Sequence, residues 1–284
     1  MNVERVSVRS ILTRTSGFLS SVTSHSAQPY RGCSFGNSAC GIGCYARHNR
    51  WITHGREWGS FLDARIDADR SYCAGVARER AWARRTHGAF SIFMSSSTDP
   101  FVPQERTLGV TRGLLLAMKE EPPDALIVQT HSDRVVDAID ALRDLATRCA
   151  VRVHLSIESD RDTLPGLPAP AATVERRFAA ATALRSAGLR VVVTASPLWP
   201  IADPDAFFAR VAACADAVVL DHFVEGDGTR DGSRTLSTPL PAAIARIDPA
   251  ANSLEYRDRM LAIARRHLPG RVGINIDGFA GRFT

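Results

Sequence analysis

Six short runs of continuous apolar, β-branched character punctuate the chain after residue 85. They are AFSIFMS (89–95), ALIVQT (125–130), VRVHLSI (151–157), LRVVVTA (189–195), AVVLDHF (217–223) and RVGINI (271–276). Their apolar positions are consecutive rather than alternating, which predicts strands covered on both faces, as in a parallel sheet. Between them the apolar spacing changes to three and four. Val135, Ile139, Leu142 and Ala146 form one such stripe and Phe207, Val211 and Cys214 another, the mark of amphipathic helices. One helix ends at Gly188 and runs directly into the next strand, a common helix-to-strand join. The pattern predicts an α/β fold of repeated β/α units, either a barrel or a doubly wound open sheet, in one domain over residues 1–284. The Pro-rich stretch 162–173 reads as a strand-to-helix loop, and 225–239 as a candidate lid.

In parallel α/β folds the chemistry sits at the C-terminal ends of the strands. Those ends are unusually polar here: SSSTDP, QTHSD, SIESD and ASPLWP. A second cluster of chemistry lies earlier, in RGCSFGNSACGIGCYARHN, where Cys33, Cys40 and Cys44 share a glycine-rich loop. Three of the six cysteines in one loop suggest a disulfide, a zinc site or an iron–sulfur cradle.

Composition narrows the choice. No apolar run reaches the roughly 18 residues a membrane helix needs, and MNVERVSVRSILTRTSG lacks a signal-peptide core. A cytoplasmic location without membrane attachment is the expectation, and in a reducing compartment clustered cysteines point to metal or catalysis rather than disulfides. The formal charge of +5 is carried almost wholly by arginine, Lys119 being the only lysine. These arginines are interleaved with Asp and Glu, which describes solvated helix faces better than a phosphate-binding patch.

Taken together, the motifs resemble the radical S-adenosylmethionine superfamily, specifically its spore photoproduct lyase-like branch. The resemblance rests on QPYRGC (28–33) and CYAR (44–47), then TDPFVPQE (98–105), THS (130–132), SIES (156–159), the Arg177-to-Gly188 helix and SPLWP (196–200), all in the branch's order. It implies a partial (β/α)6 TIM-type barrel that binds a [4Fe–4S] cluster and S-adenosylmethionine and generates a 5′-deoxyadenosyl radical. It also implies an electron donor such as flavodoxin or ferredoxin, and it leaves the substrate open among nucleic acid, peptide and small molecule. By the same resemblance Cys33, Cys40 and Cys44 ligate the cluster, leaving one iron for the cosubstrate. Ser96 and Ser97 fall where the methionyl amine is held. Ser156 and Glu158 fall at the ribose or amine position, and Arg177 can fork onto a carboxylate.

The chain also departs from the branch. Its cysteines are spaced C-x6-C-x3-C instead of C-x3-C-x2-C, and His131 stands where a lysine is usual. Ser96 replaces a cysteine that serves as hydrogen-atom donor, and an O–H bond is too strong for that task, so spore photoproduct repair by the same route is not expected. Two other readings remain. One is a zinc-containing, Arg-rich nucleic-acid-binding module using Cys33, Cys40, Cys44 and His48. The other is a catalytically degenerate iron–sulfur relative. Cys73, Cys149 and Cys214 read as small buried apolar residues.

Overall fold

A computed structural model describes residues 1–284. Its strands are β1 (Asn2–Val6), β2 (Leu12–Arg14), β3 (His25–Ala27), β4 (Tyr30–Gly32), β5 (Phe61–Arg65), β6 (Ser91–Met94), β7 (Ala125–Thr130), β8 (Ala150–Ser156), β9 (Arg190–Ala195), β10 (Ala217–Leu220) and β11 (Val272–Ile274). Each of the six apolar runs became a strand, β6 to β11. They lie side by side in sequence order and all pair parallel. The sheet does not close on itself, so the architecture is a partial barrel.

Its parallel series begins one strand earlier than the apolar pattern indicates. The three-residue β3 pairs parallel with β6, and β2 adds antiparallel outside it. No apolar run marks β3, because its buried polar residue His25 is satisfied by a partner instead. The His25 imidazole lies 3.2 Å from Glu79 on the long helix Ala68–His87, and Arg14 and Arg78 each reach the same carboxylate at 2.8 Å. Before the repeats, β1, β5 and β4 form a separate three-stranded sheet with the first pair parallel and the second antiparallel. The N-terminal residues thus build a small sheet of their own, apart from the eight-stranded one.

The outward faces of the parallel strands, such as Ile92, Val128, Leu155, Val193 and Leu220, join the large core with the helices. The inward faces pack Phe93, Ile127, Val192 and Val219 around Phe279, closing the barrel floor. One predicted stripe is rotated. Residues Asp133–Ala138 form a 3₁₀ helix before the α-helix Ile139–Ala146, and the tighter turn shifts the phase so that Leu142 and Leu145 are buried while Ala146 is exposed. The stripe Phe207, Val211 and Cys214 is buried as expected, whereas Cys73 is exposed rather than buried.

Burial on its own would raise the Glu79 carboxyl, but Arg14, Arg78 and His25 bring it down to about 2 from 4.5. A depressed carboxyl stabilises the fold above its unfolded value, and that stabilisation is lost as pH falls through the folded one. Glu79→Gln should therefore lower the urea midpoint at neutral pH, with the deficit shrinking as pH is brought from 4.5 towards 2; a deficit that stays constant across that window would exclude the linkage.

Candidate functional site

The strand C-termini open into a cavity of about 680 Å³. Because side chains alternate along a strand, the inward series of β6 to β10 continues past the apolar floor into polar residues: Ser95, Gln129, Ser156, Thr194 and Asp221. Cys33, Cys40 and Cys44 line the same cavity from the loop that follows β4.

That loop reaches across its long first gap by folding back on itself. The Gly36 amide donates to the Cys33 carbonyl at 3.0 Å, and the Ser38 amide to that of Phe35 at 2.9 Å. A short helix then runs over Ala39–Ile42. The return brings Gly41 against the carbonyls of Phe35 and Gly36, and a Cβ on Gly41 would stand 2.3 Å from both oxygens. Six residues between cysteines thus span little distance, which places Cys33 and Cys40 on one wall despite the unusual spacing.

Burial pushes all three thiols up: Cys33 to about 12, Cys40 well above its ordinary value, and Cys44 upward as well. Polar neighbours offset part of this. The amides of Phe35 and Asp99 favour the thiolate at Cys33, those of Ala46 and Arg47 do so at Cys44, and the Ser38 hydroxyl lies 3.5 Å from the Cys40 sulfur. Such donors suit a charged sulfur; a thiol that serves only as apolar filling has little use for them.

Asp99 ties this loop to the strands. Its buried carboxylate accepts from the Phe101 amide at 2.8 Å, the Thr130 hydroxyl at 2.9 Å and the His131 amide at 2.7 Å. Burial still raises its carboxyl above the ordinary value. Gln28, just beyond β3, holds the next pair of residues: its amide nitrogen donates to Ser96 Oγ at 2.8 Å, and its oxygen accepts from the Ser97 amide at 3.4 Å. Tyr45 donates to the Ser96 carbonyl, and Thr98 to the Gly32 carbonyl.

Glu158 and Arg177 form a buried ion pair, each about 3% exposed, with Arg177 Nη1 2.5 Å from Glu158 Oε2 and 2.9 Å from the Ser156 carbonyl. Burial would raise the Glu158 carboxyl, yet Arg177 and His131 hold it at about 2. His131 Nε2 lies 3.1 Å from Glu158 Oε1, within ion-pair range but out of line for a hydrogen bond, so Oε1 keeps no hydrogen-bond partner. Ser156 Oγ is bonded within the wall, to Gln129 at 2.8 Å and Thr194 at 3.1 Å.

Ser96, Ser97, His131, Ser156 and Glu158 therefore come together around the cavity with the three cysteines. Arg177 is placed differently from the sequence expectation. It lies behind Glu158 and does not line the cavity, so the group it orients is a carboxylate of its own chain. The Cys3His zinc arrangement is not assembled: no three His, Cys, Asp or Glu side chains converge as a single ion requires, with Zn–S near 2.3 Å.

No protein-family model and no curated protein matches the sequence. Among solved structures, a Cys-to-Ser mutant of spore photoproduct lyase superposes with a TM-score of 0.66 at 13% identity, covering 96% of this chain and 81% of that one. A second structure of the lyase, a double mutant with bound AdoMet and dinucleoside spore photoproduct, gives 0.63 at 13% identity over the same shares. The chain shares the partial-barrel fold of spore photoproduct lyase. Its β6 to β10 ends and cysteine loop occupy one mouth of that barrel, as the motif order implies.

Residues outside the candidate set also face the cavity. Gln129 leaves its side-chain oxygen without a partner, and Asp221 leaves Oδ1 without one. Burial pushes the Asp221 carboxyl up to about 7, although Ser196 donates to it at 2.8 Å. Single polar residues ending apolar strands carry no pattern of their own. The stretch 225–239 contributes Gly226, Asp227, Gly228, Arg234 and Thr235 to the rim, where Asp227 accepts from the amides of Thr229 and Thr235.

Two outcomes follow from this geometry. Gly41→Ala should expose residues 33–48 to limited proteolysis while the far-ultraviolet circular dichroism stays native; resistance equal to the parent would show that the fold-back tolerates a methyl group. Arg177→Met should cost about 3–5 kcal/mol in chemical denaturation by stranding a buried carboxylate, and Glu158→Gln added to it should recover part of that loss.

Proposed function

We propose that this protein is a radical S-adenosylmethionine enzyme, holding a [4Fe–4S] cluster on Cys33, Cys40 and Cys44 and its cosubstrate in the cavity beside them. The observation that carries the reading is that Cys33, Cys40 and Cys44 line one cavity together with the polar ring of strand ends at the barrel mouth. When bound, the cluster and cosubstrate supply one-electron cleavage of a sulfonium S–C bond and a 5′-deoxyadenosyl radical that abstracts hydrogen.

The chain's own residues bind, orient and exclude water. Ser96 and Ser97, held by Gln28, present one hydroxyl and one backbone edge beside the cysteine loop, a fit for the methionyl amine. Glu158, kept ionised by Arg177, offers Oε1, which has His131 beside it but no hydrogen-bond donor, as acceptor for an ammonium or a ribose hydroxyl. The apolar floor of Phe93 and Phe279 removes water from the space where a radical would act. Ser96 in place of a thiol argues for a reaction other than spore photoproduct repair. The electron comes from a small donor such as a flavodoxin or ferredoxin, and the protein works in the cytoplasm; the structure has no helix long and apolar enough to cross a membrane.

Protein purified without oxygen should carry about four irons and four sulfides per chain and release 5′-deoxyadenosine with dithionite and S-adenosylmethionine. Cys33→Ala, Cys40→Ala and Cys44→Ala should each lose the iron and the 400 nm absorbance. Full iron in the Cys40 variant would remove it from the ligand set, and iron without 5′-deoxyadenosine would favour a relative that has lost catalysis.

A further inference from the structure

Arg65 closes the end of β5 and lines the cavity. Two other guanidiniums stand near it, and both are already matched. Arg31 Nε and Arg56 Nη1 each lie 2.8 Å from the buried Asp63 carboxylate, with Arg56 Nη2 at 2.5 Å. One carboxylate therefore serves two of the three cations. Arg65 makes no ion pair at all; its Nη1 donates to the Gln28 carbonyl at 2.9 Å. Burial lowers its proton affinity, Arg31 lowers it further, and Asp63 only partly compensates. A half-buried guanidinium left without a counter-ion at a cavity wall is costly unless the cavity itself delivers an anion.

The neighbouring contacts place that anion. Gln28 joins Arg65 through its carbonyl and Ser96 and Ser97 through its side chain, so the free face of the guanidinium adjoins the part of the cavity nearest those serines. Of the other basic side chains lining the cavity, His131 is taken up by Glu158, His222 by the Ala251 carbonyl at 3.3 Å, and Arg234 on the rim by the Asp227 carbonyl at 3.2 Å.

We propose that Arg65 is an anion anchor of the cavity, binding the carboxylate or an equivalent small oxyanion of a molecule that enters it. This rests on the cofactor reading above only in the choice between two sources of that group, the methionyl carboxylate of the cosubstrate or an acidic substrate. The guanidinium's planar fork suits bidentate capture of either.

The test begins without the cosubstrate. Acetate and inorganic phosphate are titrated into the full-length protein, read by the fluorescence of Trp51 and Trp58, which line the same cavity. A saturable response is expected, weakened at least tenfold in Arg65→Gln and largely kept in Arg65→Lys. No saturable response in the parent protein overturns the proposal even if the Gln variant misfolds, and so does equal binding by parent and Gln variant. Iron content does not enter this arm, so failure of the cluster reading and failure of the anchor are told apart. A second arm assigns the source on iron-loaded protein, using S-adenosylmethionine and 5′-methylthioadenosine, which lacks the carboxylate. A tenfold loss for the former alone in Arg65→Gln assigns the anchor to the cosubstrate. Unchanged affinity for both, with anion binding lost, assigns it to the substrate.

Discussion

The site depends on one close approach, the Cα of Gly41 resting on the carbonyls of Phe35 and Gly36. Two backbone segments in contact leave no room for a side chain, so the six residues between Cys33 and Cys40 form a closed fold-back rather than an open span. The glycines around it are therefore positional requirements of the loop and not general flexibility. A longer cysteine spacing becomes compatible with one wall of sulfurs because the extra residues leave and return at the same place. Asn37 packs into that return beside Gly59, whose positive φ of 87° lets the following segment come close.

The sulfurs then need a polar frame that can bear charge in a largely dry place, and the strand ends provide it through carboxylates already matched by donors. Asp99 spends its oxygens on the β7 end and on the turn after Pro100, fixing the base of the cysteine loop without presenting a free charge. Glu158 does the reverse. Arg177 pays for its ionisation from behind, which leaves one oxygen facing the cavity. Two buried acids a few residues from the same rim thus differ in role because of what stands behind each. The expected Arg177 contact to a ligand becomes, in this frame, the support for an acid that makes the contact.

How much of this was legible depended on the kind of signal each residue carried. β6 to β11 were visible because parallel strands buried on both faces must be apolar at consecutive positions. The polar strand ends were visible for the converse reason, as hydroxyls and carboxylates abruptly following those runs. β3 was not visible: three residues with His25 at the centre carry no apolar run, and their burial is made possible by Glu79 more than fifty residues away. The first sheet was likewise hidden, since β1 is exposed along most of its length and pairs with β5 across the intervening cysteine loop. Gln129, Asp221 and Arg65 became functional candidates only through what does not face them, and a missing partner cannot be read from a one-dimensional sequence.

The two parts of the chain bring different groups to the cavity. The barrel half supplies a carboxylate, hydroxyls and an apolar floor to the cavity. The first 65 residues supply Gln28, the three cysteines, Arg31 and Arg65 to the same cavity, the two arginines on a sheet separate from the barrel's. A wall built on a separate sheet can change its charge and shape without disturbing the strand register that holds the chemistry. Excess positive charge on that wall, three guanidiniums against Asp63, is tolerable there because β4 and β5 are braced by their own ladder and by Arg31 and Arg56 gripping the one acid between them. The two parts meet at Gln28, which touches Arg65 of the first sheet and the serines after β6.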